Sequence, residues 1–180
     1  ESYRSQENIS SIGGDKLKLI NPEVRIENTN FCNAHCMYCP RDQMTRMKGI
    51  MDESEFYKLV KQAKELGAET ISVFGFGEPL LDPGLAKKIA FCFGLDLKTF
   101  ITTNGSLMRN NLMYDLLHSQ LSHVRFSVHG LWDDYNKIHK GLRFEDTLRN
   151  IANFCRVNDE KFGHPCKVGI TVIPMLNQEI

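Results

Sequence analysis

The chain has 180 residues, 42% of them hydrophobic, which is enough for one domain with a hydrophobic core. Its 22 Lys and Arg residues balance 22 Asp and Glu residues, so no net field favours a nucleic acid or an anionic membrane. No apolar run approaches the roughly 20 residues that span a bilayer, and the amino terminus lacks a signal-peptide pattern. We therefore expect neither a nucleic acid nor a membrane as a partner.

Short strand-like segments alternate with helical patterns along most of the chain. Residues 1–16 are polar and contain Gly13-Gly14, which predicts a flexible segment ahead of a domain over 17–180. The predicted strands are Val24–Asn28, Thr70–Phe74, Leu97–Thr102, His123–Val128 and Lys167–Ile173. The predicted helices are Glu53–Leu66, Leu85–Phe93, Leu107–Ser119 and Glu145–Val157.

Strands separated by helices predict parallel pairing with right-handed crossovers. Periodicity by itself leaves both a barrel and an open doubly wound sheet possible. Polar, glycine-bearing clusters follow the carboxyl ends of the predicted strands, and ligands of parallel α/β proteins bind at those ends. We therefore favour an α/β fold in which the parallel strands form a barrel.

Three of the six cysteines lie close together, in the run Cys32-Asn33-Ala34-His35-Cys36-Met37-Tyr38-Cys39-Pro40. This spacing indicates metal binding in a reducing compartment rather than a disulfide framework, so we expect a cytoplasmic protein. A [4Fe–4S] cluster normally takes four cysteines, so three leave one iron open to a ligand from outside the chain. The alternative is a zinc-stabilised binding module without catalysis, whose fourth ligand is His35, His164 or Cys166.

The cysteine loop and several later segments resemble the radical S-adenosylmethionine (SAM) superfamily. The cysteines are spaced by three and then two residues after a first strand, as in the cluster loop of that superfamily. Residues 74–81 resemble its glycine-glutamate-proline motif, and residues 102–105 resemble its third-strand loop. Residues 127–145 resemble members that carry a C-terminal auxiliary-cluster domain of the SPASM type. The resemblance implies a parallel-stranded partial (β/α)6-type barrel, of which about five β/α units are present. The sequence stops at Ile180, so we expect a sixth unit and any such domain to lie outside it.

The resemblance implies a radical SAM enzyme, an oxidoreductase whose cofactors are a [4Fe–4S] cluster and SAM. Cys32, Cys36 and Cys39 would hold three irons, and the amino and carboxylate groups of SAM would chelate the fourth. One electron from the cluster would cleave SAM to methionine and a 5′-deoxyadenosyl radical, which abstracts hydrogen from a peptide, sugar or small-metabolite substrate. The implied partners are that substrate and a one-electron donor of the flavodoxin or ferredoxin kind.

The resemblance also assigns SAM contacts to the cysteine loop and the second-strand loop. Glu78 would accept a hydrogen bond from the methionine amino group of SAM. Gly77 and Pro79 would shape the loop that carries this carboxylate, with the glycine allowing the backbone to approach the ligand closely. Tyr38, between the second and third cysteines, would pack against adenine.

Further SAM contacts are implied in the loops that follow the later strands. Asn104 and Ser127 would make polar contacts with the ribose or the methionine moiety. Lys140 lies where relatives often have an Arg that binds the SAM carboxylate, and a lysine would act there as a point charge. Asn177 would approach the nucleoside. His129 replaces an Asp found in many relatives, which leaves its role open.

The remaining cysteines and most other histidines are interpreted as structural. The cysteines expected to be buried or half-buried are Cys92, Cys155 and Cys166. The histidines expected to be structural or exposed are His118, His123 and His139. No side chain is assigned a part in the chemistry itself.

Overall fold

The computed structural model describes residues 21–162 and 166–173. The predicted flexible segment 1–16 and Asn177 lie outside these residues. The strands are β1 (Glu23–Ile26), β2 (His35–Cys36), β3 (Thr70–Val73), β4 (Lys98–Thr103), β5 (His123–Ser127), β6 (His139–Lys140) and β7 (Lys167–Thr171). The helices are α1 (Glu53–Glu65), α2 (Leu85–Phe93), α3 (Asn110–His118), α4 (Trp132–Ile138) and α5 (Phe144–Lys161).

A five-stranded parallel sheet forms the centre of the fold, with the strand order β1-β3-β4-β5-β7. Each of the five predicted strands overlaps one strand of this sheet, so the prediction of an α/β fold with parallel strands is confirmed. Over the described residues the sheet is open and does not close into a barrel. It has the arrangement expected of a partial barrel.

Alternation along the strands separates the two faces of the sheet. In β4 and β5, residues such as Ile101 and Phe126 are buried, whereas their neighbours Phe100 and Arg125 are half-buried or exposed. The buried face packs against α1, α2, α3 and α5 in one continuous hydrophobic core. The opposite face is therefore free to line a binding site.

Local signals account for the helix that was predicted best. Asp52 caps α1 by accepting a hydrogen bond from the backbone N–H of Ser54 at 2.8 Å. Phe56 and Val60 lie on the buried face of α1, one turn apart. Gly67 follows with a φ of 90°, a conformation that favours glycine and ends the helix.

Three helical segments differ from the sequence prediction. Helix α5 continues to Lys161 rather than ending at Val157, with Asn158 still on its buried face. Helix α4 was not predicted, because a helix of seven residues with two buried side chains, Tyr135 and Ile138, is too short for a clear period. Helix α3 begins at Asn110 rather than Leu107, because the N–H of Met108 is already hydrogen-bonded to the carbonyl of Gly105 in a preceding turn. Among the described helices, none is long and apolar enough to cross a membrane.

Candidate active site

All three cysteines of the triad face one open cavity of about 160 Å³ at the carboxyl ends of the sheet strands. Parallel strands direct these ends to the same edge, where the loops of different β/α units meet. The predicted site residues that line the cavity are Cys32, Cys36, Cys39, Tyr38, Gly77, Glu78, Asn104 and Ser127. The tertiary structure thus brings together residues from four separate β/α units.

The side chain of Arg41 stabilises the conformation of the cysteine loop. This side chain is buried, with 5% of its surface exposed. The guanidinium donates to the carbonyl oxygens of Cys32 at 2.8 Å and Ala34 at 2.9 Å. Its five rigid donors suit this contact with two backbone carbonyls. The sequence prediction missed this residue, although an arginine directly after Cys39-Pro40 was the available signal.

The second cysteine is in contact with a histidine that lies 103 positions later in the sequence. Strands β2 and β6 pair antiparallel, with Cys36 opposite His139. The Nδ1 atom of His139 is 3.3 Å from the Sγ atom of Cys36. His139 is fully buried and lines the cavity, so its expected structural or exposed role has to be widened to include the site.

Burial shifts the pKa values of both Cys36 and His139. It raises the pKa of Cys36 to about 11, and the hydrogen bond with the Tyr38 hydroxyl opposes that rise. Burial, followed by the neighbouring His129, lowers the pKa of His139 to about 4. The pKa of Cys32 is also raised by burial. Metal binding by these thiols therefore has to release protons.

His129 joins the loop after β5 to the end of β7. It is 2% exposed, and its Nδ1 atom accepts a hydrogen bond from the backbone N–H of Ile173 at 3.0 Å. Its ring stacks on that of His139 at 5.0 Å between centroids and meets the edge of Tyr38 at 4.8 Å. These contacts give His129 a packing role beside the cavity.

Glu78 is the buried carboxylate of the site. It is 2% exposed and accepts three hydrogen bonds, from the Thr103 hydroxyl at 2.6 Å and the N–H groups of Asn104 at 2.8 Å and Leu80 at 3.1 Å. Burial raises its pKa to about 7, and these hydrogen bonds oppose the rise. A carboxylate has about four acceptor positions, so about one remains for a ligand.

The residues beside Glu78 explain its placement. A Cβ atom on Gly77 would lie 2.1 Å from the backbone oxygen of Thr29. The loop that carries Glu78 can therefore pack against the segment that follows β1 only with glycine at this position. The close approach that the structure shows at Gly77 is to this backbone, and the predicted close approach to SAM stays a prediction. Pro79 is buried and begins a short 3-10 turn.

Asn104 ties the third-strand loop to the cysteine loop. Its Nδ2 atom donates to the Oδ1 atom of Asn33 at 3.0 Å, next to Cys32 in the chain. Its Oδ1 atom accepts from the backbone N–H of Ser106 at 2.9 Å and from the hydroxyl at 2.7 Å. The side chain lines the cavity, but its hydrogen bonds in this structure are to the chain itself.

The other predicted SAM contacts occupy different positions. Ser127, at the end of β5, and the half-exposed Tyr38 both line the cavity. Lys140 is exposed on β6 opposite His35 and does not line the cavity, so its contact with the SAM carboxylate stays a prediction. Cys92 and Cys166 are buried and Cys155 is half-buried, as expected.

The donor set of the cavity suits an iron–sulfur cluster. Three cysteines within eight residues, with thiols that line one cavity, match the thiolate ligands such clusters take. Over the described ranges, no group of three or more His, Cys, Asp or Glu side chains could hold a single metal ion. A cubane cluster does not require one, since each thiolate binds its own iron.

Comparison with known sequences defines the class of the protein. A sequence model of the radical SAM superfamily matches residues 26–180. The chain therefore belongs to the radical SAM superfamily, a class of enzymes that use a [4Fe–4S] cluster and SAM.

Two relatives and one solved structure show how far the similarity extends. The chain is 32% identical over 142 residues to an uncharacterized protein of Methanocaldococcus jannaschii, covering 77% of this chain and 46% of that protein. It is 30% identical over 160 residues to the GTP 3',8-cyclase of Campylobacter jejuni, covering 86% of this chain and 47% of that enzyme. The chain thus spans about half the length of these relatives.

The solved structure of Streptococcus suis SuiB bound to S-adenosylmethionine superposes with a TM-score of 0.69 at 22% identity. It covers 83% of this chain and 33% of SuiB. SuiB has also been solved bound to precursor peptide SuiA. At this identity the match supports the fold, in agreement with the open parallel sheet.

Proposed function

We propose that this chain is the core of a radical SAM enzyme that cleaves SAM reductively and abstracts hydrogen from a substrate. The observation that supports this most directly is the convergence of Cys32, Cys36, Cys39 and Glu78 on one cavity. The three thiolates would hold the cluster, and the free acceptor position of Glu78 would receive the SAM amino group. When bound, the cluster supplies the electron that converts SAM into methionine and a 5′-deoxyadenosyl radical.

The chain itself contributes binding, orientation and exclusion of water. Arg41 and the β2–β6 pairing hold the cysteine loop, and the hydrogen bond between Asn104 and Asn33 fixes it against the third-strand loop. Burial of Glu78 keeps water away from the carboxylate, so a donor from SAM would have little competition. Tyr38 and Ser127 would contact the rest of SAM.

Anaerobic reconstitution with iron and sulfide tests this proposal. We expect iron and sulfide near four per chain, with an electron paramagnetic resonance signal of the reduced cluster that changes when SAM is added. Cys36→Ala should lose most of the iron, whereas the matched control Cys155→Ala, at a half-buried position on α5 away from the cavity, should retain it. A cluster that forms but ignores SAM would contradict the proposal.

The zinc-stabilised module was the alternative predicted from the sequence, and the surroundings of Cys166 and His35 weaken it. The third candidate ligand, His164, lies outside the described residues. Cys166 directly precedes β7, at the amino ends of the parallel strands, whereas the cysteine loop follows the carboxyl end of β1. The Nδ1 atom of His35 is already 3.3 Å from a carboxylate oxygen of Asp42. Metal analysis of protein purified without oxygen separates the two, since about one zinc without sulfide would favour the module.

The open face of the sheet supports a substrate that carries negative charge. The guanidinium of Arg25 lies 4.3 Å from the ring centre of Phe74, and that of Arg125 lies 4.8 Å from the ring centre of Phe100. The two rings meet edge to face at 5.4 Å. Among the described residues neither arginine forms an ion pair with a carboxylate, and Arg25 lines a cavity, so its guanidinium is available to bind an anion.

This face continues into the cavity of the cysteines. A neighbouring cavity of about 390 Å³ is lined by Arg25 and by the Glu27–Arg46 ion pair. It shares residues 74–76 with the cysteine cavity. An anionic group held by Arg25 would therefore place the rest of a substrate beside the predicted SAM site.

GTP is the first probe for this substrate class, because the Campylobacter jejuni relative is named GTP 3',8-cyclase. We expect GTP to bind at least about tenfold more tightly than guanosine, which lacks the phosphates, and Arg25→Gln to remove the difference. Arg156→Gln, on the exposed surface of α5, serves as the matched control. Equal binding of GTP and guanosine by the wild-type protein would contradict phosphate recognition. A peptide substrate, as in the SuiB complex, remains the alternative.

Three further expectations remain predictions. They are the C-terminal auxiliary-cluster domain, the one-electron donor of the flavodoxin or ferredoxin kind, and the cytoplasmic location. The first is tested by iron analysis of the whole gene product, in which an auxiliary cluster would add to the four irons of the first.

A further inference from the structure

The geometry points to His139 as a positioning residue that donates an N–H···S hydrogen bond to Cys36 and raises the reduction potential of the cluster this thiolate would hold. This inference rests on the proposed function. It is supported by the 3.3 Å separation of His139 Nδ1 and Cys36 Sγ and by the pairing of β2 with β6. The sequence resemblance assigned no role to this histidine.

The hydrogen bond at the other ring nitrogen decides which tautomer is present. The backbone N–H of His129 donates to the Nε2 atom of His139 at 3.2 Å. An Nε2 atom that accepts a hydrogen bond carries no proton, so the single proton of the neutral ring is on Nδ1. The Nδ1–H group therefore points its hydrogen at sulfur, and Cys36 is the acceptor.

The surroundings of His139 hold the ring in this orientation. The ring stacks on that of Tyr135 at 4.3 Å and on that of His129 at 5.0 Å, and the side chain has no exposed surface. Tyr135 is itself buried and donates a hydrogen bond to Thr147 at 3.0 Å. A buried ring that stacks on two others cannot turn away from Cys36 without disturbing several buried contacts.

A hydrogen bond donated to a cluster sulfur changes the reduction potential of the cluster as well as the stability of the fold. Reduction adds negative charge to the cluster and its thiolates, so the reduced state gains more from an N–H···S bond than the oxidised state. Hydrogen bonds to the sulfurs are among the factors that set the potentials of iron–sulfur proteins. His139 would thereby ease entry of the electron that SAM cleavage requires.

Two substitutions at His139 each preserve one of the two hydrogen bonds of its ring and remove the other. His139→Gln places a side-chain oxygen near the position of Nε2, where it can accept from the His129 N–H, but removes the donor to sulfur. His139→Asn places an amide N–H near the position of Nδ1 and preserves that donor. His118→Gln is the matched control, because His118 is exposed on α3 and packs on Phe162 away from the cavity.

The test is a redox titration of the reconstituted proteins, followed by the paramagnetic signal of the reduced cluster. We expect His139→Gln to lower the ratio of reduced to oxidised cluster about tenfold at a fixed potential, equivalent to about 59 mV for one electron. His139→Asn should recover most of this loss, and His118→Gln should match the wild type. A purely structural role for His139 would change iron content or stability and leave the potential unchanged.

The outcomes distinguish this inference from the proposed function. A normal wild-type cluster whose potential is the same in His139→Gln overturns the inference alone. Failure of the wild-type chain to assemble a cluster overturns the proposed function and this inference with it. Nitrogen NMR of the metal-free protein gives a separate test: the Nδ1–H tautomer is expected, and an Nε2–H tautomer would refute the hydrogen bond to Cys36.

Discussion

Glu78→Gln removes one buried ionisable group and should change how the stability of the protein depends on pH. The carboxyl group is 2% exposed, and its pKa rises from 4.5 to about 7 in the folded protein. Between these values the folded chain keeps a proton that the unfolded chain has lost. The free energy of unfolding therefore falls as the pH rises through this window.

The size of the effect follows from the pKa shift of Glu78. Each pKa unit corresponds to about 1.36 kcal/mol, so the shift from 4.5 to about 7 amounts to about 3 kcal/mol. The stabilising contribution of the neutral carboxyl group is complete below pH 4.5 and is lost as the pH rises through about 7. Glutamine is neutral throughout, so the variant has no such slope.

Urea unfolding of the metal-free protein, measured from about pH 4.5 to about pH 8, tests this reasoning. The wild type should lose about 3 kcal/mol relative to Glu78→Gln across that range. The comparison is between slopes, because glutamine also replaces one acceptor of the Thr103 and Asn104 hydrogen bonds and shifts the whole curve. Parallel pH profiles for the two proteins would refute a raised pKa at Glu78.

Two further substitutions test the packing around the site. Lys88→Met removes the partner of the buried carboxylate of Asp82, 2.7 Å away, and should lower the unfolding free energy by about 3–5 kcal/mol. The control Lys87→Met, at the exposed neighbouring position, should cost less than about 1 kcal/mol. Equal losses in the two variants would contradict this account. Gly77→Ala would place a Cβ atom 2.1 Å from a backbone oxygen and should cost about 3 kcal/mol or prevent folding. Gly49→Ala, with nothing within 4 Å, should stay within about 0.5 kcal/mol of the wild type in the same denaturation assay.

Features encoded within a few neighbouring residues were predictable from the sequence. The α1 helix has its cap at Asp52 and its stop at Gly67 within one segment. The strands of the sheet appear as short runs rich in β-branched residues, and each was located. Helix α4 was not predicted, because seven residues with two buried side chains are too few to show a clear helical periodicity.

The residues of the site were predictable only where they belong to a local sequence motif. The cysteine triad and Glu78 belong to local patterns, and the structure places their side chains around one cavity. Arg41 and His139 were missed, because neither residue type signals by itself that it is buried. The partner of His139 lies 103 positions away and is brought within reach only by folding, whereas the partners of Arg41 lie in the same loop.

The sequence by itself determined the alternation of strands and helices, the three thiols and the carboxylate that follows the second sheet strand. These depend on spacing and residue type, which are properties of the chain. Only the tertiary structure decided which groups face one another: the antiparallel pairing of β2 and β6 brings His139 to Cys36 across 103 positions. Strand register also put Arg25 and Arg125 on the open face of the sheet. The physical reason is that register and burial are set by packing between distant segments, which no local pattern encodes.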